Sequence, residues 1–404
     1  MNELLRQALG IVPKVSRISA EVLVSHIDRD DEVRAAWLAL VSGRPAFFLG
    51  SPGVDKTGTV QAIASRIAGA VFYDELMPTV VSVEQLLVES TSIEEVPLPN
   101  GGKAIQTRDR LGKAANAHLV FADEIWKSEP RVLNILLDLA RGGEVRHEGR
   151  VVKTPLLAFL AASNELPDPE GNLGALWSRM TIRLVTQPLN RAGKERLVKA
   201  RLARARQTTV GAPSQPAQLL LAEIETLRTA RGWVEIPQNI VNIVLDIYQE
   251  LADDANADFA WLWSDDRRFG RVFDILQAHA LLEGRTRVEK TDLAVMEWLC
   301  WDTPDQIPTV RAKILPYCRT PLMDAQEAMD ALLAPGGTVE LVRVGDRGKG
   351  VQAIQQCEAA LTEMKNLQNS ATDTAMSAKI GELIQQLESV KQDVVAVVTG
   401  TRRL

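Results

Sequence analysis

The sequence predicts an α/β domain built on a parallel sheet, followed by an all-helical domain and a short helical tail. Short apolar runs alternate with amphipathic segments up to residue 186, after which only helical periodicity continues. An Ala-Pro-Gly-Gly stretch at 334–337 then precedes the last segment. From these observations we place the domains at residues 1–188, 189–334 and 335–404.

Five apolar runs of the first domain are expected to be buried strands. They are "PAFFLG" (45–50), "AVFYDELM" (70–77), "HLVFADE" (118–124), "LLAFLAASN" (156–164) and "TIRLVT" (181–186). Helical patterns such as "VQAIASRIAG" and "PRVLNILLDLARGG" lie between them. Because apolar strands that alternate with helices form parallel sheets covered on both faces, we expect a sheet flanked by helices.

Helical patterns make up most of the chain after the polar stretch at 207–218. The second domain contains "IPQNIVNIVLDIYQELADD", "DDRRFGRVFDILQAHALLEG" and "VEKTDLAVMEWLCW". In the tail, "TVELVRVG" (338–345) predicts a strand, and apolar residues at spacings of four and three predict an antiparallel helical hairpin. Its apolar seam either packs the two helices together or docks a partner; the first is favoured because short helices need each other to bury their stripes.

Composition and charge narrow the classes of function. The chain has 404 residues, is 46% hydrophobic and 24% charged, and carries a net charge of -6, so no bulk basic field favours nucleic acid. We expect no signal peptide in "MNELLRQALG" and no membrane span. The three cysteines form no CxxC pair and the four histidines lack metal-ligand spacing. This pattern favours reduced thiols and a cytoplasmic protein.

The stretch "GSPGVDKT" (50–57) is similar to a phosphate-binding loop. It stands between a predicted strand and a predicted helix, where successive backbone N–H groups and a helix N-terminus surround phosphates. Lys56 is expected to contact the β- and γ-phosphates, and the Thr57 hydroxyl to coordinate Mg²⁺. Gly50 and Gly53 allow the turn and a close approach of the backbone.

Polar side chains also end two other predicted strands. Asp123 and Glu124 end "HLVFADE", at the carboxyl edge where open α/β sheets bind ligands. Asp123 is expected to hold the Mg²⁺ sphere and Glu124 to polarise the attacking water. Asn164, at the end of "LLAFLAASN", is placed to hold the same water.

These pieces occur in the order of a known family. Together, "GSPGVDKT", "LVFADEIWK", "AASNELP", "LWSRMTIRL" and "SDDRRF" resemble a MoxR-type AAA+ ATPase, closest to the RavA-like branch, over most of the first two predicted domains. The resemblance implies an α/β nucleotide-binding domain, a helical lid and a hexameric ring with sites between subunits. It also implies ATP and Mg²⁺ as cofactors, and a protein client such as a von Willebrand factor A-domain protein.

The resemblance implies a role for each matching residue. Lys56 and Thr57 match Walker A, Asp123 and Glu124 match Walker B, and Asn164 matches sensor 1. The implied nucleotide-binding set is Gly50, Gly53, Val54, Asp55, Lys56, Thr57 and Asp123, of which Thr57 and Asp123 are the Mg²⁺ ligands.

Two arginines complete the implied catalytic set. Arg179 in "LWSRM" matches the arginine finger, which reaches the γ-phosphate of a neighbouring subunit. Arg267 in "SDDRRF" matches sensor 2 in the lid. Arg183 and Arg268 are near alternatives for these two roles.

Two segments fall where the family carries insertions. Residues 94–107 correspond to a helix-2 insert, and "GGEVRHEGRVVKTP" (142–155) predicts a β-hairpin before sensor 1. In related machines such segments face the central pore and touch the substrate. The alternative is that both are ordinary surface hairpins.

Asp55 departs from the family pattern, which has a small residue at this position. A carboxylate near a polyphosphate repels it unless the side chain turns outward or pairs with a cation. Gly58 also weakens the first turn of the following helix. Because neither change removes a catalytic group, we expect an active ATPase whose affinity or rate Asp55 modifies, and Asp55→Ala to tighten ATP binding.

The leading hypothesis is therefore a ring-forming ATPase that remodels or activates a protein partner. One alternative is a nucleic-acid motor, since helicase-type AAA+ proteins also carry a hairpin before sensor 1. Another is a nucleotide-gated scaffold with little hydrolysis, whose tail docks a partner.

Overall fold

The computed structural model describes residues 2–97, 103–142, 144–147, 150–168, 173–207, 216–254, 259–334, 336–343, 347–371 and 374–399. The chain divides into two compact units, Met1–Ile314 and Leu315–Leu404. Within the described ranges, no helix has the length and hydropathy needed to cross a membrane. All three cysteines are buried and free.

A parallel five-stranded sheet forms the centre of the first unit. The strands along the chain are β1 (Ala46–Leu49), β2 (Ile67–Ala68), β3 (Phe72–Leu76), β4 (Val88–Pro97), β5 (Lys103–Leu111), β6 (Leu119–Asp123), β7 (Glu144–His147), β8 (Arg150–Lys153), β9 (Ala158–Ser163), β10 (Ile182–Val185) and β11 (Leu219–Leu220). The sheet has the order β10-β1-β9-β6-β3 with every pair parallel. All five predicted strands are present. Strands β1 and β9 are buried along their whole length, whereas β3, at the edge of the sheet, exposes Asp74 and Leu76 and is not the buried strand that was predicted.

Helices flank this sheet and continue through the rest of the chain. They are α1 (Glu3–Leu23), α2 (Asp30–Ser42), α3 (Lys56–Ala64), α4 (Val83–Leu87), α5 (Pro130–Gly142), α6 (Gly174–Trp177), α7 (Arg191–Gln207), α8 (Leu221–Arg231), α9 (Gln238–Ala252), α10 (Ala260–Ser264), α11 (Asp266–Leu282), α12 (Ile307–Cys318), α13 (Pro321–Leu332), α14 (Thr338–Arg343), α15 (Gly350–Ser370) and α16 (Thr374–Thr399). Short 3-10 helices cover Met77–Thr79, Ile125–Lys127, Lys290–Trp298, Pro304–Gln306 and Arg347–Lys349. The predicted helix over 288–301 is therefore the 3-10 segment Lys290–Trp298.

Helix α2 joins the sheet to the helical domain. All of its residues from Glu32 to Ser42 are buried except Arg34. Strands β1, β9 and β10 contact this helix, and so do helices α8 and α11. This double contact explains why the sequence of α2 is apolar over most of its circumference. The sheet, α2 and the helices α8 and α11 thus share one core.

Both predicted insertions contain antiparallel strand pairs. Strands β4 and β5 form a ribbon that includes most of the segment 94–107, and β7 and β8 form the hairpin predicted within 142–155. Residues 98–102 of the ribbon, and 143 and 148–149 of the hairpin, lie outside the described residues. The pore-facing role of both segments stays a prediction.

The second unit corrects one predicted element. Residues 338–343 form helix α14, so the predicted strand "TVELVRVG" is wrong; residues 344–345 are outside the described part. Val339 and Val342 are fully buried, and their spacing of three places both on one helical face in the core with α15 and α16. Helices α15 and α16 pack against each other and form the predicted helical hairpin.

The compact units also differ from the predicted domain boundary. The second unit begins at Leu315, whereas the sequence placed its start at residue 335. Helix α13 accounts for the difference, because its residues Ala325 and Met329 are buried in the core of the tail. A Pro-Gly-Gly stretch therefore connects two helices of one unit here.

Candidate active site

The phosphate loop connects β1 to α3, as the sequence predicts. Its first residue, Gly50, donates its N–H to the Ser163 carbonyl at 3.0 Å. A Cβ atom at Gly50 would lie 2.7 Å from the backbone oxygen of Thr186, so only glycine fits between β1 and the end of β10. Gly53 has φ +82°, in the left-handed region that favours glycine.

Lys56 is the first residue of α3 and its side chain turns into the loop. The residue is buried, and Nζ donates to the carbonyl oxygen of Gly50 and, at 3.4 Å, to that of Ser51. Burial lowers the pKa of Lys56, while the nearby carboxylates of Asp123 and Glu124 act in the opposite direction. A buried ammonium at a helix N-terminus offers an anion such as phosphate a strong charge-assisted contact.

The two predicted Mg²⁺ ligands lie side by side. Thr57 Oγ1 is 3.5 Å from Asp123 Oδ2, and Asp123 Oδ1 accepts the N–H of Glu124 at 3.0 Å. No cluster of three or more His, Cys, Asp or Glu that could hold a metal occurs among the described residues. One hydroxyl and one carboxylate fit Mg²⁺, which keeps water and phosphate oxygens as its other ligands.

The predicted catalytic Glu124 is held by two residues that sequence reasoning missed. Its backbone has φ +51°, and its Oε2 atom accepts a hydrogen bond from Ser163 Oγ at 3.1 Å and pairs with Lys127 Nζ at 3.1 Å. Lys127 Nζ also donates to Asn164 Oδ1 at 3.4 Å. Ser163 and Lys127 both stand inside the motifs "AASNELP" and "DEIWK", which is the signal that could have identified them.

The connection between α1 and α2 contacts the loop from the other side. His26 Nδ1 lies 2.7 Å from Asp55 Oδ2. The buried Arg29 donates from Nε to the Val54 carbonyl and from Nη2 to the Gln187 carbonyl, each at 3.0 Å. No motif marks these contacts in the sequence, because they join segments that are distant along the chain.

Arg179 lies away from the phosphate loop of its own chain. It precedes β10, whose residues Ile182 and Val185 pair in register with Ala46 and Leu49 of β1. Arg179 is therefore at the amino edge of the sheet, whereas the loop starts at the carboxyl edge, at least about 10 Å of strand away.

Arg267 lies in the first turn of α11, a helix that reaches the same amino edge. Burial lowers the pKa of Arg179, and the positive charges of Arg141 and Arg267 lower it further. Arg271, one turn along α11 from Arg267, donates to Thr181 Oγ1 at 3.4 Å. Arg267 is exposed and makes no hydrogen bond or ion pair within the part of the chain described.

The two alternative arginines are structural. Arg183 is fully buried, with its guanidinium carbon 3.7 Å from the Trp177 ring centroid and an ion pair to Asp302. Arg268 is 1% exposed, 4.5 Å from the Trp261 ring centroid and 3.5 Å from Asp302. Both guanidinium groups are bound inside the core, whereas Arg267 is exposed. Arg179 is also buried, and its Nη1 donates to the Ala175 carbonyl.

The structure thus brings together part of the predicted set. Lys56, Thr57, Asp123, Glu124 and Asn164 converge at the carboxyl edge of the sheet. Arg179 and Arg267 form a second group at the opposite edge.

Relatives with similar sequences span most of the chain, and a solved structure has a similar fold. Two uncharacterised proteins of Methanocaldococcus jannaschii are 25% and 23% identical to the chain, over 374 and 400 residues. These alignments cover 89% of this chain and 91% of the first relative, and 96% of this chain and 100% of the second. The structure of a candidate ATPase from Cytophaga hutchinsonii shares the fold, with a TM-score of 0.56 at 13% identity over 76% of this chain and 96% of that one.

Family models match most of the first unit. The AAA lid domain model matches residues 239–314. Residues 13–229, more than half of the chain, match the model of the MoxR domain in the MoxR-vWA-beta-propeller ternary systems. The chain therefore belongs to the MoxR family of AAA+ ATPases.

Proposed function

We propose that this protein hydrolyses ATP to ADP and phosphate in a Mg²⁺-dependent reaction. The observation that supports it most is the convergence of Lys56, the Thr57–Asp123 pair and the Glu124–Asn164 pair on one edge of the sheet. Bound Mg²⁺ would neutralise charge on the phosphates. Lys56 would bind the phosphate oxygens, and Glu124 and Asn164 would orient the attacking water between them.

Arg179 and Arg267 would act on the nucleotide of a neighbouring subunit. Both lie at the sheet edge opposite their own phosphate loop, so a cation from this edge can reach a phosphate only in a second copy. A head-to-tail contact of this kind generates a closed ring when the rotation closes. We propose a hexamer, in which each nucleotide site is completed by the next subunit.

The energy of hydrolysis would serve to remodel or activate a protein partner. The matching family model is named for systems that combine a MoxR domain with vWA and beta-propeller proteins, which supports a von Willebrand factor A-domain protein as the client. We also propose that the protein is of the RavA-like branch, which the motifs "DEIWK" and "AASNELP" support. We further propose that it acts in the cytoplasm. The family match does not favour the nucleic-acid motor.

Phosphate release tests the catalytic part of this proposal. Glu124→Gln should bind ATP as well as the native chain but release phosphate at least about 100-fold more slowly, the scale of a lost catalytic base. Lys56→Ala should lose ATP binding. Equal phosphate release by the native chain and Glu124→Gln would show that the hydrolytic function is wrong.

The partner is tested with the same slow variant. Tagged Glu124→Gln protein with ATP and Mg²⁺ should retain a vWA-domain protein from its own organism, and Lys56→Ala should not. Retention that does not depend on ATP would contradict nucleotide-driven remodelling.

A further inference from the structure

Asp55 stands in the phosphate loop, yet its carboxylate is bound outside the loop. Asp55 Oδ2 lies 2.7 Å from His26 Nδ1, in the connection between α1 and α2. The His26 side chain is 16% exposed and that of Asp55 is 50% exposed, so the carboxylate is half exposed beside a largely buried imidazole.

The position of Asp55 would ordinarily favour another contact. Asp55 is the N-cap residue of α3, where an aspartate usually accepts hydrogen bonds from the first N–H groups of its helix. Here its side chain makes no capping hydrogen bond, and its φ of +67° lies in the left-handed region. The carboxylate therefore pairs with His26 and does not cap its own helix.

Gly58 provides the space for this arrangement. A Cβ atom at residue 58 would lie 2.2 Å from Asp55 Oδ1 and 3.5 Å from His26 Cε1. Any larger residue would therefore displace the carboxylate. The glycine that weakens the first turn of α3 is thus matched to the aspartate three residues earlier.

The direction of the carboxylate matters because α3 begins at the phosphate loop. The N–H groups that an N-cap aspartate would occupy are the same groups that bind phosphate at a helix N-terminus. A carboxylate held by His26 leaves these N–H groups to a ligand.

We infer that His26 is a positioning residue of the nucleotide site: it holds the Asp55 carboxylate on the outer side of the loop and leaves the first N–H groups of α3 free for phosphate. The inference rests on the proposed function, in which this loop binds ATP. Without His26, the carboxylate turns to cap α3, where it competes with the phosphates and repels them. Asp55 is harmless to binding only while His26 and Gly58 keep it in place.

Titration calorimetry of ATP and Mg²⁺ with the full chain in the Glu124→Gln background tests this. His26→Ala should weaken ATP binding about tenfold, or about 1.4 kcal/mol. Adding Asp55→Ala to His26→Ala should restore at least the affinity of the parent, because the carboxylate that repels the phosphates is then absent. His26→Asn, whose amide can still donate to Asp55, should bind like the parent.

Gly58→Ala gives an independent test, since it displaces the Asp55 carboxylate while residue 26 remains histidine. It should weaken ATP binding when Asp55 is present and not when residue 55 is alanine. The inference is overturned if His26→Ala binds ATP as tightly as the parent, or if Asp55→Ala fails to restore binding to it while thermal unfolding shows a folded chain. If the parent binds no ATP, the proposed function itself fails.

Discussion

At the scale of single residues, Lys127 is the group that connects the two side chains expected to hold the attacking water. Its Nζ atom lies 3.1 Å from Glu124 Oε2 and 3.4 Å from Asn164 Oδ1. Lys127 is 42% exposed, so its ion pair contributes little to the stability of the fold. We expect its main effect to be on the positions of the Glu124 and Asn164 side chains.

Lys127→Ala is therefore expected to lower kcat about tenfold, because small losses of orientation slow a reaction that depends on positioning. ATP binding should stay within about twofold, since the ion pairs and hydrogen bond described for Lys127 go to Glu124, Glu165 and Asn164 and not to the phosphate loop. Steady-state phosphate release and calorimetry separate the two effects.

Two variants serve as controls for Lys127. Lys127→Arg keeps a cation near both acceptors and should recover part of kcat. Lys379→Ala removes an exposed lysine from α16 and should leave kcat unchanged. A kcat of Lys127→Ala equal to that of the native chain would contradict the positioning role.

The sequence predicted the site residues that belong to contiguous motifs and missed those supplied by folding. Lys56, Asp123 and Asn164 follow apolar strands, so their place at one sheet edge can be predicted from the strand pattern. His26 contacts Asp55 across 29 residues of sequence, and no local pattern encodes that contact. The sequence left open whether the Asp55 side chain turns outward or pairs with a cation, because its partner His26 could be identified only in the folded chain.

At the scale of elements, four aromatic rings connect the segment that carries Glu124 to the segment that carries Arg179. Trp126, two residues after Glu124, has its ring centroid 5.3 Å from Phe47 and 5.8 Å from Trp177. Trp177, two residues before Arg179, is also 6.2 Å from Trp301. The segments after β6 and before β10 are thus packed against β1 and the lid domain in one cluster.

A buried charged network joins α11 to the 3-10 segment Lys290–Trp298. Asp292 is fully buried and accepts hydrogen bonds from His279 Nδ1 at 2.6 Å and from Arg285 Nη1 at 2.7 Å. The Glu289 N–H donates to it at 2.7 Å. Burial acts to raise the pKa of Asp292, but these hydrogen bonds outweigh it and the pKa is lowered.

Asp292→Asn should lower the free energy of unfolding by about 3 kcal/mol, because it leaves the buried partners of the carboxylate poorly compensated. Because the pKa of Asp292 is lower in the folded state, its contribution is present above about pH 4 and is lost as the pH falls through the folded pKa. The difference between native chain and variant should therefore shrink in acid, measured by denaturant unfolding at several pH values.

Glu235→Gln provides the matched control for Asp292→Asn. The Glu235 side chain is 65% exposed in its ion pair with Arg287, so its loss should change stability by less than about 0.5 kcal/mol. A stability loss for Asp292→Asn that is as small, or that grows in acid, would contradict the role given to the network.

The error at α14 shows where prediction of elements stops. "TVELVRVG" is rich in β-branched residues, which favours a strand by local preference. Packing decides otherwise, since Val339 and Val342 fill the core between α15 and α16 as one helical face. Strands such as β1 and β9 were predictable because each is an apolar run buried on both faces, whereas a six-residue helix depends on its neighbours.

At the scale of the whole molecule, the residues proposed to act on ATP lie at opposite edges of the sheet. The carboxyl edge carries Lys56, Asp123 and Glu124, and the amino edge carries Arg179 and Arg267. In the proposed head-to-tail ring, the arginines at the amino edge of one copy would complete the phosphate loop of the next, whose own Arg29 is bound to backbone carbonyls.

Mixing two inactive variants tests this arrangement. Lys56→Ala loses ATP binding but keeps Arg179, while Arg179→Ala binds ATP but lacks the arginine, so neither should hydrolyse ATP alone. In a random one-to-one mixed ring, roughly one interface in four places an intact phosphate loop against an intact Arg179. Phosphate release should therefore reappear on mixing and rise with the time allowed for subunit exchange, with light scattering to confirm that the rings persist. If Arg179→Ala alone keeps the native rate, or the mixture stays inactive although subunits exchange, Arg179 does not act between subunits.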